Sequence, residues 1–230
     1  MIFNEKIVKA KFIDRPNRFK ANVILDGVEV VVHVPNTGRC KEILIPDCDI
    51  LLRKAENPNR KTQYDLIAGY KDGKLINIDS QVPNKVVEEA LKTGMIDKLK
   101  NFNCIEREKV YGNSRFDFKL SNYAGEIYYL EVKGVTLEER GYSMFPDAPT
   151  DRGRKHVLEL IDAKKNNIGA GILFLIQMDE MKGFSTNKKM DPKFAEAVTL
   201  AYKSGVDIFA YDCTIGENFL TLSNEIPVCF

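Results

Sequence analysis

The stretch YYLEVKGVTL at residues 128–137 decides which fold class this chain belongs to. Its tyrosines, valines and leucines predict a β-strand. Because successive side chains of a strand point to opposite faces, Glu131 and Lys133 share one face while Leu130 and Val132 share the other. The strand therefore presents one apolar face to a core and holds a carboxylate beside an ammonium on the other.

The elements around this strand indicate an α/β unit. Before it come a helix, KVVEEALKTGMIDKLKNF, and two strands, EREKVYG and RFDFKL. After it come a loop, GYSMFPDAPTDRG, and a second helix, RKHVLELIDAKKNN, which is ended by Gly169. A strand buried on both faces, AGILFLIQM, a third helix, DPKFAEAVTLAYKSG, and a further strand, VDIFAYDC, complete the unit. The continuous apolar run AGILFLIQM is typical of a strand with both faces covered. We therefore expect a mixed central sheet with helices packed against it, an α/β architecture.

The first part of the chain differs, because its apolar residues mostly alternate with polar ones. The predicted strands are KIVKAKFI, RFKANVIL, VEVVVHVP, DILLRKA and YDLIAGY, with hairpin turns at Asp26-Gly27 and Asp72-Gly73 and a short helix at TGRCKEIL. Five or six short strands with one small helix predict an OB-like β-barrel over residues 1–82. Pro83 and Asn84 then signal a helix start, so residues 83–230 form the second, α/β domain.

The composition excludes several classes of protein. Lys and Arg number 34 against 33 Asp and Glu, so no global field marks a nucleic-acid or membrane partner, and any basic surface must be local. No stretch approaches the roughly 20 apolar residues that a spanning helix needs. The five cysteines form no CxxC pair, which argues against a zinc site or a disulfide framework and favours a cytoplasmic location.

A candidate site lies where an aspartate interrupts the preceding strand. Asp117 stands between Phe116 and Phe118, whose rings we expect on the opposite face, and an antiparallel turn would bring Asp117 beside Glu131. Two close carboxylates repel each other unless a proton or cation lies between them, and Mg²⁺ prefers such oxygen ligands. With Lys133 available to stabilise charge on a phosphate, the set predicts a phosphodiester-cleaving centre. A solvated lysine–carboxylate cluster is the alternative.

The order helix glutamate, strand aspartate, strand Glu-x-Lys resembles the PD-(D/E)xK nuclease superfamily. More narrowly, NTGRC, EREKVYGNSRFDFKL, YLEVKGVTL and FPDAPTDRGRKHVLEL resemble the sugar fermentation stimulation protein family, SfsA, over nearly the whole chain. This resemblance implies an N-terminal OB-like domain, a C-terminal nuclease-like domain, DNA binding and Mg²⁺ or Mn²⁺ as the cofactor. By matching position, it implies Asp117, Glu131 and Glu89 as metal ligands and, with Lys133, as the catalytic set. A helical wheel leaves Glu88 as an alternative to Glu89.

A further acid and a basic cluster complete the candidate residues. Glu108 is an additional acidic candidate, for which a salt bridge or solvent exposure is the simpler interpretation. The cations at the start of the helix after Asp151 need a negative partner, because helix N-termini favour anions. Neighbouring acids would serve, but the resemblance favours nucleic-acid phosphate. The residues predicted to bind nucleic acid are Arg152, Arg154, Lys155, His156, Arg115, Arg39 and Arg18.

Two functions stay open from the sequence. One is a metal-dependent nuclease, and the other is a non-catalytic DNA-binding regulator of sugar (maltose-type) catabolism genes. No acidic or lysine position of the set is lost, and no helix-turn-helix is evident, which favours the nuclease. A sugar-metabolising enzyme lacks a phosphate-cradling glycine loop. DNA of either strandedness is the expected partner, a membrane is not, and a homodimer is one option for the assembly.

Overall fold

The computed structural model describes all 230 residues of the chain. The strands are β1 (Ile7–Asn17), β2 (Lys20–Leu25), β3 (Val28–His33), β4 (Asp49–Lys54), β5 (Tyr64–Lys71), β6 (Lys74–Asn77), β7 (Cys104–Tyr111), β8 (Ser114–Ser121), β9 (Ile127–Val135), β10 (Leu137–Glu139), β11 (Tyr142–Phe145), β12 (Gly169–Ile176), β13 (Gly183–Thr186), β14 (Asp207–Gly216), β15 (Phe219–Glu225) and β16 (Val228–Cys229). The helices are α1 (Val82–Lys92), α2 (Asp151–Lys165) and α3 (Pro192–Lys203), with one 3-10 turn at Asp97–Leu99. No helix combines the length and the apolar character needed to cross a bilayer.

The N-terminal strands form one curled sheet, in the order β3-β2-β1-β4-β5-β6. The hairpin turns predicted at Asp26-Gly27 and Asp72-Gly73 are confirmed, and all four residues have positive φ, as a type I′ turn requires. A parallel bridge between His33 and Asp65 joins β3 to β5, which brings the sheet back onto itself. The predicted OB-like architecture is confirmed.

The C-terminal sheet has the order β15-β14-β12-β9-β8-β7 and is mixed, because β12 runs parallel to both β9 and β14 while the outer pairs are antiparallel. Apolar residues of α1 pack with Leu130 and Val132 on one face of β9. On the other face, apolar residues of α2 and α3 pack with Tyr129 and Phe174. The predicted α/β fold class with a mixed central sheet is confirmed, and β9 lies inside the sheet with both faces covered.

A third, small sheet was not predicted. It has the order β10-β11-β13-β16 and takes β11 from a segment expected to be a loop, while the strand expected to reach residue 137 ends at Val135. Its strands are two to four residues long; β10 and β11 form a local hairpin, whereas the pairs β11–β13 and β13–β16 join segments far apart in the chain. Local sequence patterns do not reveal such strands, because their hydrogen bonds depend on the tertiary arrangement.

Three local predictions were wrong. The segment TGRCKEIL forms a turn rather than a helix, since Cys40 has a positive φ of 48° and its carbonyl accepts from Leu44 N at 2.8 Å. Helix α1 has Gln81 as its N-cap, so Asn84 lies within the first turn instead of capping it. Helix α2 ends before Gly169, because Asn167 takes the left-handed conformation with φ 60°.

The two units share their apolar cores. One cluster combines Val23 and Ile50 of the first sheet with Phe174 of the second, and another combines Ile67 with Val86 of α1. The buried amide of Gln177 also donates to Asn77 Oδ1 at 2.8 Å, which links the end of β12 to the end of β6. Because burial of this continuous surface stabilises both units together, the first domain is held in a fixed relation to β9.

Candidate metal centre and nucleic-acid cleft

Glu131 and Lys133 project from the same face of β9 towards α2. Glu131 is 2% exposed, and its Oε1 atom contacts both the Lys133 ammonium and the His156 ring, with His156 Nδ1 at 2.6 Å. Since a carboxylate only accepts hydrogen bonds, Nδ1 of His156 carries the proton and donates it. One oxygen of Glu131 is therefore occupied by two donors from this chain.

Asp117 reaches the same region because β8 and β9 separate there. Their paired residues end at Phe118 and Leu130, and beyond that point Asp117 Oδ2 accepts from the backbone N–H of Val132 at 2.8 Å. Phe116 and Phe118 enter different apolar clusters, so the expectation that both rings share the face opposite Asp117 was wrong. At this point of β8 the Asp117 carboxylate, rather than a backbone carbonyl, accepts the hydrogen bond from the Val132 N–H.

Asn84 of α1 is a member of this site that the sequence analysis did not find. Its Nδ2 atom donates to Asp117 Oδ1 at 2.7 Å. The residue was interpreted as a helix cap, because asparagine after proline commonly marks a helix start. Its place in the first turn, on the side of α1 that meets β8, depends on how the helix packs. Both oxygens of Asp117 thus accept hydrogen bonds, one from a helix and one from a strand.

The two carboxylates differ in their electrostatic surroundings. Burial raises the pKa of Asp117, and the negative charge of Glu131 raises it further. Burial by itself would also raise the pKa of Glu131, but the hydrogen bond from His156 and the charge of Lys133 outweigh it, so that pKa is lowered. The charged form of Glu131 is therefore stabilised by its neighbours, whereas the charged form of Asp117 is destabilised and would be stabilised by a nearby cation.

The second oxygen of Glu131, Oε2, is buried and has no hydrogen-bond partner. A buried anionic oxygen without a partner is costly, so this atom favours an added cation. Asp117 and Glu131 would hold a divalent ion, because Mg²⁺ often takes only one or two protein carboxylates and completes its shell with water and phosphate. No group of three His, Cys, Asp or Glu side chains is arranged to hold a metal. The pair fits a cation with few protein ligands.

The structure does not bring the predicted helix acids into this cluster. Glu89 contacts the N-terminal ammonium of Met1 at 2.6 Å. Glu88, the alternative, pairs with Lys92 and Arg107, and Glu108 forms an ion pair with Arg115 at 2.8 Å. Helix α1 instead sends an amide to the site, since its first turn is the part that approaches β8.

The residues predicted to bind nucleic acid separate into two groups. His156 is buried against Glu131, Lys155 Nζ donates to the Asn113 carbonyl at 2.8 Å, and Arg115 is paired with Glu108. Arg154 Nε is buried, and its guanidinium lies 3.9 Å from Asp151. Among the predicted residues, the exposed cations without an ion pair are Arg152, Arg39 and Arg18. Only this second group has guanidinium groups available to a partner.

A cleft of about 1050 Å³ separates the end of β1 and the loop after β3 from the segment before α2. The cations that line it are Arg15, Arg18, Arg39 and Lys41, and the lining acids are Asp14 and Asp147. Arg15 holds the loop in place, because its guanidinium donates to the carbonyl oxygens of Gly38 at 2.6 Å and Arg18 at 2.7 Å. The hydrogen bonds of Arg15 therefore fix the backbone that carries Arg18, Arg39 and Lys41.

The cleft adjoins another cavity near the end of β9. It shares Thr37, Gly38, Phe145 and Asp147 with a second cavity of about 180 Å³. That cavity is also lined by Gly134, which directly follows Lys133. The linings of the two cavities do not include Asp117, Glu131 or Lys133.

Comparison with known proteins gives a consistent result over both units. Residues 13–78 match the model of the SfsA N-terminal OB domain, and residues 81–219 match the model of the sugar fermentation stimulation protein RE domain. The sugar fermentation stimulation protein homolog of Clostridium tetani is 64% identical over 228 residues, which cover 99% of each chain. The homolog of Clostridium novyi is 62% identical over 222 residues, covering 96% of this chain and 97% of the relative.

A solved structure shows the same fold. SfsA of Pyrococcus furiosus, determined in complex with Ca²⁺, superposes with a TM-score of 0.90 at 29% identity, and the alignment covers 100% of both chains. The resemblance first seen in the motifs around Asp117 and Glu131 is therefore confirmed over the full length. With two family models matched in order and relatives above 60% identity, this chain belongs to the sugar fermentation stimulation protein (SfsA) family.

Proposed function

We propose that this protein is a divalent-metal-dependent nuclease that cleaves phosphodiester bonds of DNA, with Mg²⁺ or Mn²⁺ as the cofactor. The observation that carries the proposal is the buried, unpartnered Oε2 atom of Glu131, a residue whose charge raises the pKa of Asp117 and whose other oxygen contacts Lys133. Structural ion pairs usually satisfy their buried oxygens, whereas a cation-binding site leaves one free for the ion. The Ca²⁺ bound to SfsA of Pyrococcus furiosus supports a divalent cation in this family.

Each residue of the centre has a separate task under this proposal. Asp117 and the free oxygen of Glu131 hold the cation, which when bound supplies positive charge for the phosphate and for an attacking water. Lys133 keeps an ammonium beside the phosphate, where negative charge develops as a water oxygen bonds to phosphorus and the bond to the leaving oxygen breaks. His156 and Asn84 orient the two carboxylates.

The basic cleft supports DNA as the substrate. Arg18, Arg39 and Lys41 line it without ion pairs, and Arg152 lies exposed at the start of α2, just past the Thr150 that lines the cleft. Guanidinium groups match phosphate geometry, and contacts to the phosphate chain supply most of the sequence-independent affinity for DNA. The net charge of the chain is only +1, so attraction of DNA would depend on local groups of cations such as this one.

The proposal is tested with labelled single-stranded, duplex and branched DNA, and with RNA, incubated with the full-length protein in Mg²⁺, Mn²⁺ or EDTA. We expect cleavage that needs the metal and falls by about 10²–10⁴-fold in Lys133→Ala. Lys119→Ala is the matched control, because Lys119 lies on the adjacent strand β8 and forms an ion pair with Glu106, at an N–O distance of 3.3 Å, instead of contacting Glu131. This variant should cleave like the wild type.

Binding of DNA without cleavage under every condition would contradict the nuclease. That outcome would leave the non-catalytic DNA-binding regulator of sugar-catabolism genes, which the name of the Clostridium relatives favours. Equal loss of activity in Lys119→Ala and Lys133→Ala would also contradict the assignment, since it would show that the lysine of β9 has no special part.

A further inference from the structure

The side chain of Asn84 occupies the point where α1 meets the candidate metal centre. Its Nδ2 atom donates to Asp117 Oδ1 at 2.7 Å, while Asp117 Oδ2 accepts from Val132 N at 2.8 Å. The carboxylate of Asp117 is therefore fixed from both sides, and its plane cannot rotate freely. An amide in this place both orients the carboxylate and contributes no charge of its own.

No other acid compensates for the neutral amide. The acids of α1 lie farther along the helix, where Glu88 pairs with Lys92 and Arg107 and Glu89 pairs with the N-terminal ammonium of Met1. Nowhere in the chain do three metal-ligating side chains come together. The centre therefore has two carboxylates, and the residue that approaches it from α1 cannot supply a third.

The charge balance decides how many cations two carboxylates can hold. Asp117 and Glu131 bring two negative charges, and the Lys133 ammonium beside Glu131 brings one positive charge. One divalent cation makes the local charge +1, which a substrate phosphate neutralises, whereas two cations make it +3. Like charges in a largely buried site repel strongly, because the effective dielectric is low there. The observed ligand set suits one ion.

We propose that Asn84 is a positioning residue that restricts this centre to a single divalent cation. The inference rests on the proposed function only for the presence of a cation at Asp117 and Glu131, and it does not require cleavage. An aspartate at position 84 would place a third carboxylate against Asp117, and a second cation would relieve the repulsion between them.

The full-length protein is first freed of metal with a chelator and dialysed. Mn²⁺ is then titrated into it by isothermal titration calorimetry, and the bound Mn²⁺ is examined by electron paramagnetic resonance. The wild type should bind one Mn²⁺ per chain and show an isolated-ion spectrum. Asn84→Asp should bind two and show the broadening of a coupled Mn²⁺ pair, which a merely structural effect would not produce. Asn59→Asp makes the same charge change at an exposed site of the first domain and should still bind one.

The remaining outcomes separate this inference from the proposed function. Two Mn²⁺ in the wild type would overturn the single-cation centre and leave the nuclease standing, whereas no Mn²⁺ in the wild type would overturn both. One Mn²⁺ in a folded Asn84→Asp would overturn the role of Asn84. If that variant does not fold, Asn84→Ala decides: we expect one Mn²⁺ bound roughly 10- to 100-fold more weakly, and unchanged affinity would overturn the inference.

Discussion

Gly134 lies directly against the side chain of Gln177, so closely that a methyl group at Gly134 would overlap the Gln177 carbonyl oxygen. The same methyl group would lie 2.7 Å from Cγ of Pro83. Gly134 follows Lys133 on β9, and Gln177 donates to Asn77 at the end of the first domain. The absence of a side chain at Gly134 thus lets the first domain and α1 pack closely against β9.

Replacing Gly134 by alanine should destabilise the protein by about 1–3 kcal/mol, because the added methyl group forces a packed interface apart. Urea unfolding measures the loss. Gln177→Ala is destabilising by itself, but in its presence the Gly134→Ala change should cost less, since one of the two clashing groups is gone. Strict additivity of the two changes would refute the proposed contact as the cause.

His156 should control how well the centre binds a cation. Removing its donor in His156→Ala leaves Glu131 held by Lys133 alone, so we expect Mn²⁺ affinity to fall roughly 10- to 100-fold in isothermal titration calorimetry. His156→Asn keeps an N–H donor of similar reach and should recover part of the affinity. If both variants bind Mn²⁺ as tightly as the wild type, the hydrogen bond at 2.6 Å does not orient Glu131.

Neutralising the cleft cations should weaken DNA binding without changing the fold. For Arg18→Gln, Arg39→Gln and Lys41→Gln, we expect a lower affinity in fluorescence anisotropy with EDTA present. The dependence of log K on log salt concentration should also become shallower, by about 0.7 to 0.9 for each lost phosphate contact. Lys61→Gln and Lys203→Gln remove exposed lysines outside the cleft and serve as controls. Equal weakening by the controls would exclude the cleft as the binding path.

Asp65 should make the stability of the first domain depend on acid pH. Burial disfavours its charge, but hydrogen bonds from Arg60 at 2.8 Å and from His33 outweigh this, so the pKa of Asp65 lies below its usual value of 3.8. Because the folded pKa is lower than the unfolded one, the stabilisation is present above about pH 4 and is lost as the pH falls through the folded pKa.

The matching variant is Asp65→Asn, which leaves Arg60 without its carboxylate partner and leaves Arg53 paired with Asp79 alone. At pH 7 the free energy of unfolding should drop by roughly 1–3 kcal/mol. The difference from the wild type should narrow as the pH is lowered from 4 to 2, measured by thermal unfolding across that range. A difference that stays constant with pH would show that the charge of Asp65 contributes nothing.

Much of the architecture was predictable from local patterns. Alternating apolar residues and the Asp-Gly pairs at residues 26–27 and 72–73 indicated the hairpins of the first sheet, and the continuous apolar run of β12 indicated a strand covered on both faces. These features depend on backbone geometry within a few residues, which the sequence expresses directly. The small sheet of β10, β11, β13 and β16 was missed because its strands are short and two of its three pairs join segments far apart in the chain.

For the candidate site, the sequence was sufficient to predict three residues on the two strands: Asp117, Glu131 and Lys133. On β9, the spacing of Glu131 and Lys133 dictates that they share a face, because side chains alternate there at every residue. Only the tertiary structure decided which groups approach them from the helices: Asn84 rather than Glu89 from α1, and His156 as a partner of Glu131. The rotation and position of a helix are set by the packing of its whole apolar face. The identity of one helical residue therefore does not predict whether its side chain reaches the site.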